Sequence, residues 1–131
     1  MTLYLDSSAI VKLVQHEAES DALRRYLCLH RIDPRASSAL VRVEVVRAVR
    51  AGGADMIGLA RRQLARLYLV PLHRNLLDEA AEMGDIVLRS LDAVHLASAA
   101  QLGDDLRAVV TYDVRMQTAA AALDIDVVAP A

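Results

Sequence analysis

The chain has 131 residues, 55% of them hydrophobic, with a mean hydropathy of +0.28. That apolar content supplies one domain with a proper core and excludes a disordered chain. The formal net charge of −2 excludes a protein that grips nucleic acid through bulk positive charge, so any such contact must be local.

No apolar run approaches the roughly 18 residues of a membrane-spanning helix. The N-terminus enters a strand pattern directly, without the layout of a signal peptide. A cytoplasmic protein with no membrane partner is expected. Cys28 is the single cysteine, so no internal disulfide forms; it reads as a partly buried small residue on a helix. Lys12 is the only lysine among 15 basic residues. A GC-rich genome produces such an arginine excess, although arginine also suits bidentate phosphate contacts. There is no Phe or Trp and only four Tyr, so base-stacking platforms are scarce.

In chain order, residues 2–6 read as a short buried strand. Ser7-Ser8 opens a helix through Val14, and a second helix runs from about Glu17 to Leu29 before Asp33-Pro34 breaks it. A brief strand follows at 35–37. Ser38 reads as the N-cap of a helix over 39–51, which stops at Gly52-Gly53. A helix over 55–68 precedes a strand at 69–72. Asn75 is the expected cap of the next helix, which carries Leu76, Leu77, Ala80 and Met83. After a turn at 85–90 come a helix over 92–102, a strand over 106–112, a helix over 114–123 and a last strand over 126–128. Short apolar strands alternating with helices predict a single α/β domain over residues 1–131, its parallel sheet covered on both faces. In open sheets of this kind, ligands sit beyond the C-terminal strand ends, where the strand order reverses.

Four acids stand out against this pattern. Asp6, Asp92 and Asp113 fall where an apolar run meets a helix start, and Glu44 interrupts the run Leu40-Val41-Arg42-Val43-Glu44-Val45-Val46. Asp is a favoured N-cap, and helix dipoles favour negative charge in the first turn, so each of the three aspartates has a capping role open to it. Glu44 either pairs with Arg47 or another arginine at the edge of its helix face, or turns into the crevice. Four converging carboxylates repel one another and are costly to bury unless something positive compensates them. Hard oxygen ligands favour Mg²⁺ or Mn²⁺. Such a centre hydrolyses a phosphodiester without a nucleophilic side chain, in keeping with a chain that has no G-x-S-x-G, H-E-x-x-H, P-loop or G-x-G-x-x-G. Crowding of this kind also predicts that Glu44→Gln stabilises the metal-free protein.

The same segments carry a resemblance. Tyr4-Leu5-Asp6-Ser7-Ser8-Ala9, Ser37-Ser38-Ala39-Leu40-Val41-Arg42-Val43-Glu44, Leu88-Arg89-Ser90-Leu91-Asp92-Ala93-Val94-His95-Leu96-Ala97 and Val110-Thr111-Tyr112-Asp113 with Arg115-Met116 resemble, in order, the four acidic motifs of PIN domains. The likeness covers essentially the whole chain and is strongest to the VapC-type toxins of type II toxin–antitoxin modules. It implies a five-stranded parallel sheet of order 3-2-1-4-5 with helices on both faces. It further implies a Mg²⁺- or Mn²⁺-dependent endoribonuclease acting on tRNA, rRNA or mRNA, a cognate antitoxin that blocks the site, and a homodimer. By match, Asp6, Glu44, Asp92 and Asp113 become the metal ligands, with Ser7, Ser8 and Thr111 in supporting roles. Val114 departs from the pattern, which has a more polar residue there.

His95 is either a histidine packed at a helix interface or a partner to a carboxylate. Arg115 either meets substrate phosphate or neutralises the acidic cleft. Arg61, Arg62 and Arg66 read as a solvated helix face, and Asp124 and Asp126 fall outside the site. Two rivals share the fold class. A receiver-like phospho-acceptor needs paired acids after the first strand and a lysine on a late strand; here Asp6 is followed by serines and the only lysine is Lys12. A hydrolase with an Asp nucleophile needs a second Asp where Ser8 stands. A non-catalytic RNA- or protein-binding module of the same fold is the remaining alternative.

Overall fold

The computed structural model describes residues 1–131. The strands are β1 (Thr2–Leu5), β2 (Arg35–Ser38), β3 (Tyr68–Val70), β4 (Leu106–Val110) and β5 (Val127–Val128). The helices are α1 (Ser7–Val14), α2 (Ser20–Leu29), α3 (Val41–Val49), α4 (Ala54–Leu64), α5 (Arg74–Glu82), α6 (Ser90–Ala100) and α7 (Val114–Ala122). The strands form one sheet in the order β3-β2-β1-β4-β5, and every pairing is parallel. This is the expected 3-2-1-4-5 arrangement.

Pleating explains the apolar runs. Successive side chains on a strand point to opposite faces, so a strand covered on both sides must be apolar throughout. Leu3 and Leu5 pack with Ile10, Leu23, Val41 and Val45 under α1, α2, α3 and α4. Tyr4 between them turns to the other face, against Ala99 and Val109. On β4, Ala108 and Val110 join the first face and Val109 the second. The second face is closed by α5, α6 and α7 through Leu76, Ala93, Ala97, Leu96 and Met116.

Several boundaries differ from expectation. Ser38 ends β2 instead of capping α3. Its Oγ accepts from the Leu40 N–H at 3.1 Å, and α3 begins at Val41 after a Leu40 cap. His73, not Asn75, caps α5, its Nδ1 accepting from the Leu76 N–H at 3.3 Å. Tyr68 leaves the preceding helix to pair in parallel with Ala36. Helix α2 begins at Ser20, because the Ser20 hydroxyl accepts from the Glu17 N–H and donates to the Lys12 carbonyl, holding residues 17–19 in a turn. Helix α6 starts at Ser90, so Asp92 lies inside its first turn. Strand β4 stops at Val110, which frees Thr111 and Tyr112 for the loop. Cys28 is exposed; it follows the buried Leu27, and one residue along a helix is a turn of about 100°. Gly53, at φ +87°, takes a left-handed turn between α3 and α4 that favours glycine.

Candidate active site

Strand order reverses at β1, whose neighbours are β2 on one side and β4 on the other. Leu5 is in register with Val110, so Asp6 and Thr111 leave the sheet side by side at its C-terminal edge. That edge is where open α/β sheets hold ligands.

Asp6 caps α1 and is 3% exposed. Its Oδ1 accepts from the Ala9 N–H at 3.0 Å and from the Ser8 hydroxyl at 2.6 Å, and its Oδ2 accepts from the Thr111 hydroxyl. Burial pushes the Asp6 carboxyl above the ordinary carboxylate range, against the pull of those donors. The same hydroxyls brace the neighbouring loop: Ser8 Oγ accepts from the Tyr112 N–H at 3.0 Å, and Thr111 Oγ1 from the Asp113 N–H at 3.1 Å.

Asp113 caps α7, its Oδ1 accepting from the Arg115 and Met116 N–H groups. Its Oδ2 accepts from Arg89 Nη2 at 2.7 Å, while Arg89 Nε donates to Asp92 Oδ2, also at 2.7 Å. Partial burial pushes the Asp113 carboxyl up, but the Arg89 hydrogen bond and the two backbone donors carry it below the usual range. Glu44, in the first turn of α3, accepts at Oε1 from His95 Nε2 at 2.7 Å. An ionised carboxylate only accepts, so Nε2 carries the hydrogen. His95 Nδ1 in turn lies 2.7 Å from the hydroxyl of Tyr4, which is fully buried. Glu44, His95 and Tyr4 thus form one chain from the crevice into the sheet.

Asp6, Glu44, Asp92 and Asp113 line a single cavity of about 360 Å³, together with Ser7, Ser8, Arg89 and His95. The model of the PIN domain matches residues 3–122. The chain belongs to the PIN domain family. It is 51% identical over 128 residues to Ribonuclease VapC46 of Mycobacterium tuberculosis, covering 98% of this chain and 97% of that protein. It is 44% identical over 135 residues to Ribonuclease VapC35 of the same species, covering 98% and 96%. To Ribonuclease VapC47, also of that species, it is 41% identical over 117 residues, covering 87% and 86%.

In this PIN domain the acids share a cavity without forming a ready ligand set, since no three of them are placed to hold a metal ion. Each carboxylate is engaged by the protein: Asp6 by hydroxyls, Glu44 by His95, and Asp92 and Asp113 by one guanidinium. Arg47 is exposed and is not the partner of Glu44. Arg115 lies outside the acidic cavity, in an adjoining one of about 420 Å³ with Val87, Val114 and Thr118. Val114 is 71% exposed at the start of α7. Two site residues were not anticipated. Arg89 precedes Asp92 by three residues, a helical spacing that could have flagged it. Tyr4 puts a hydroxyl between two leucines in a fully buried strand, and such a hydroxyl requires a partner.

Proposed function

We propose that this PIN domain is a Mg²⁺- or Mn²⁺-dependent endoribonuclease and the toxin of a VapBC-type toxin–antitoxin module. The observation that carries the reading is the meeting of Asp6, Glu44, Asp92 and Asp113, from four separate segments, in one cavity at the strand-order reversal. The donor set suits a hard dication, being all carboxylate oxygen. Positive charge is already accommodated between Asp92 and Asp113, in the form of the Arg89 guanidinium. These four acids would hold the metal only after regrouping from the partners that now engage them; when bound, it polarises a phosphodiester and lowers the pKa of a coordinated water.

The remaining chemistry belongs to the chain. Ser8, Thr111 and the Ala9 N–H fix the rotamer of Asp6. His95, held by Tyr4, aims Glu44. Supporting partners of this kind set the orientation and basicity of metal ligands. Ser7 lines the same cavity and offers its hydroxyl to a bound phosphate, whereas the single Ser8 hydroxyl hydrogen is committed to Asp6.

RNA as substrate is supported by relatives named ribonucleases that match nearly end to end. A cognate antitoxin is supported by an apolar groove of about 780 Å³ running from Glu44 past Val11, Leu40, Val43 and Leu91. Val43 and Leu91 are 57% and 51% exposed, and contiguous exposed apolar surface marks an interaction site. Exposed Val87 and Val114, which line one cavity, offer a second such surface, on which two copies would pair. No helix is long and apolar enough to cross a membrane. Asp6→Asn is expected to lower Mn²⁺-dependent cleavage of a structured RNA by about 100-fold or more, the scale of losing one electrostatic contact to a transition state, with the melting profile still cooperative. Full activity in that variant would refute the reading.

A further inference from the structure

We infer that Arg89 is a built-in competitor for the divalent cation: it holds the metal's place between Asp92 and Asp113, and its displacement delivers the guanidinium to the RNA phosphate. The inference rests on the proposed nuclease reading. One guanidinium bridges two acids from different elements, Nε to Asp92 Oδ2 and Nη2 to Asp113 Oδ2, both at 2.7 Å. Those oxygens are among the donors a dication would need. A dication held by those two carboxylates would stand within a few ångströms of the guanidinium, and two like charges so close repel, so the cations compete for the pair.

Mobility is unequal among the three partners. Asp92 is buried on α6, and Asp113 is tied to the first turn of α7. The Arg89 side chain is 48% exposed and springs from the extended residue just ahead of α6. Arg89 is therefore the member that moves. It lines both the acidic cavity and the adjoining cavity that holds Arg115, so that second cavity borders the guanidinium and is open to it. A guanidinium stripped of its carboxylates is a bidentate donor for phosphate. The metal-free site thereby avoids bare carboxylate repulsion, and the loaded site gains a cation at its rim.

The test compares the wild type with R89Q and R115Q by calorimetric titration of Mn²⁺. Binding of a non-cleavable 2′-O-methyl RNA at saturating Mn²⁺ is then measured on all three. Arg115 is the control for simple loss of a nearby positive charge, because it makes no ion pair with the acids. R89Q is expected to bind Mn²⁺ at least about threefold more tightly than wild type and R115Q, the scale of an exposed ion pair removed from competition. It is also expected to bind the RNA more weakly than R115Q does. Equal or weaker Mn²⁺ affinity in R89Q, or an equal gain in R115Q, would overturn the competition. Tighter Mn²⁺ binding with unchanged RNA affinity would overturn the transfer to phosphate. If none of the three proteins binds Mn²⁺, the metal-dependent reading itself falls, and this proposal with it.

Discussion

At the scale of single residues, Glu44 gives the sharpest revision. Crowded carboxylates predict that Glu44→Gln relieves repulsion and stabilises the metal-free protein. The structure supplies compensation that the sequence hides, because His95 lies 51 residues away and donates to Glu44 at 2.7 Å. Glu44→Gln is now expected to destabilise by about 0.5–1.5 kcal/mol, since it weakens a charge-assisted bond. His95→Ala is expected to cost more, about 1–3 kcal/mol, because it strips the partner from the fully buried Tyr4 hydroxyl. Urea denaturation of both variants measures this order. Asp113 carries a pH signature. Its folded carboxyl sits below the usual range, so the ionised form favours the native state. That contribution is complete above the unfolded carboxylate value, near pH 4, and is lost as the pH falls through the lowered folded value. The stability advantage of wild type over Asp113→Asn should hold at pH 7 and shrink below about pH 4. An advantage that persists at strongly acidic pH would mean that charge is not its source.

At the scale of elements, the apolar strands and the aspartate caps at Asp6 and Asp113 were legible because they depend on neighbours in sequence. The caps at Ser38 and Asn75 misled because tertiary contacts decide them. Ser38 pairs in register with Val70 on β3, and that pairing keeps it extended one residue too long to cap α3. His73 reaches its cap position ahead of Asn75 by using a ring nitrogen, outside the ordinary capping set. The Arg89–Asp113 contact joins α6 to α7 across 24 residues and could not be read from either motif. The seam between β1 and β4 is tighter than any sequence pattern implied, because Thr111 donates to Asp6 and accepts from the Asp113 N–H. Thr111→Val keeps the shape and removes both bonds. It is expected to cost about 1–3 kcal/mol and to weaken Mn²⁺ binding by about tenfold or more, as loss of a supporting partner does. Chemical denaturation and calorimetry check the two halves separately; an unchanged metal affinity would leave Thr111 with a purely structural role.

At the scale of the whole molecule, strand order is what turns scattered acids into one site. The order 3-2-1-4-5 was implied by family resemblance, and only the general crevice rule came from periodicity. With β1 beside β4, Asp6 and Asp113 reach the same edge, while α3 and α6 bring Glu44 and Asp92 to it. The receiver-like alternative loses its remaining support here, because Lys12 is bound to Glu17 and Glu19 at 3.3 and 2.8 Å and lies over the Tyr112 ring. A lysine so occupied serves the α1–α2 turn. The central claim, that these four carboxylates share a divalent cation, has a direct thermodynamic readout, since a ligand that binds only the native state stabilises it by about 2.7 kcal/mol at 100 times its Kd. The decisive measurement is the melting temperature of wild type and Asp6→Asn with and without millimolar Mn²⁺. A clear rise in wild type and little or none in the variant is expected; no rise in wild type, or the same rise in both, would contradict it.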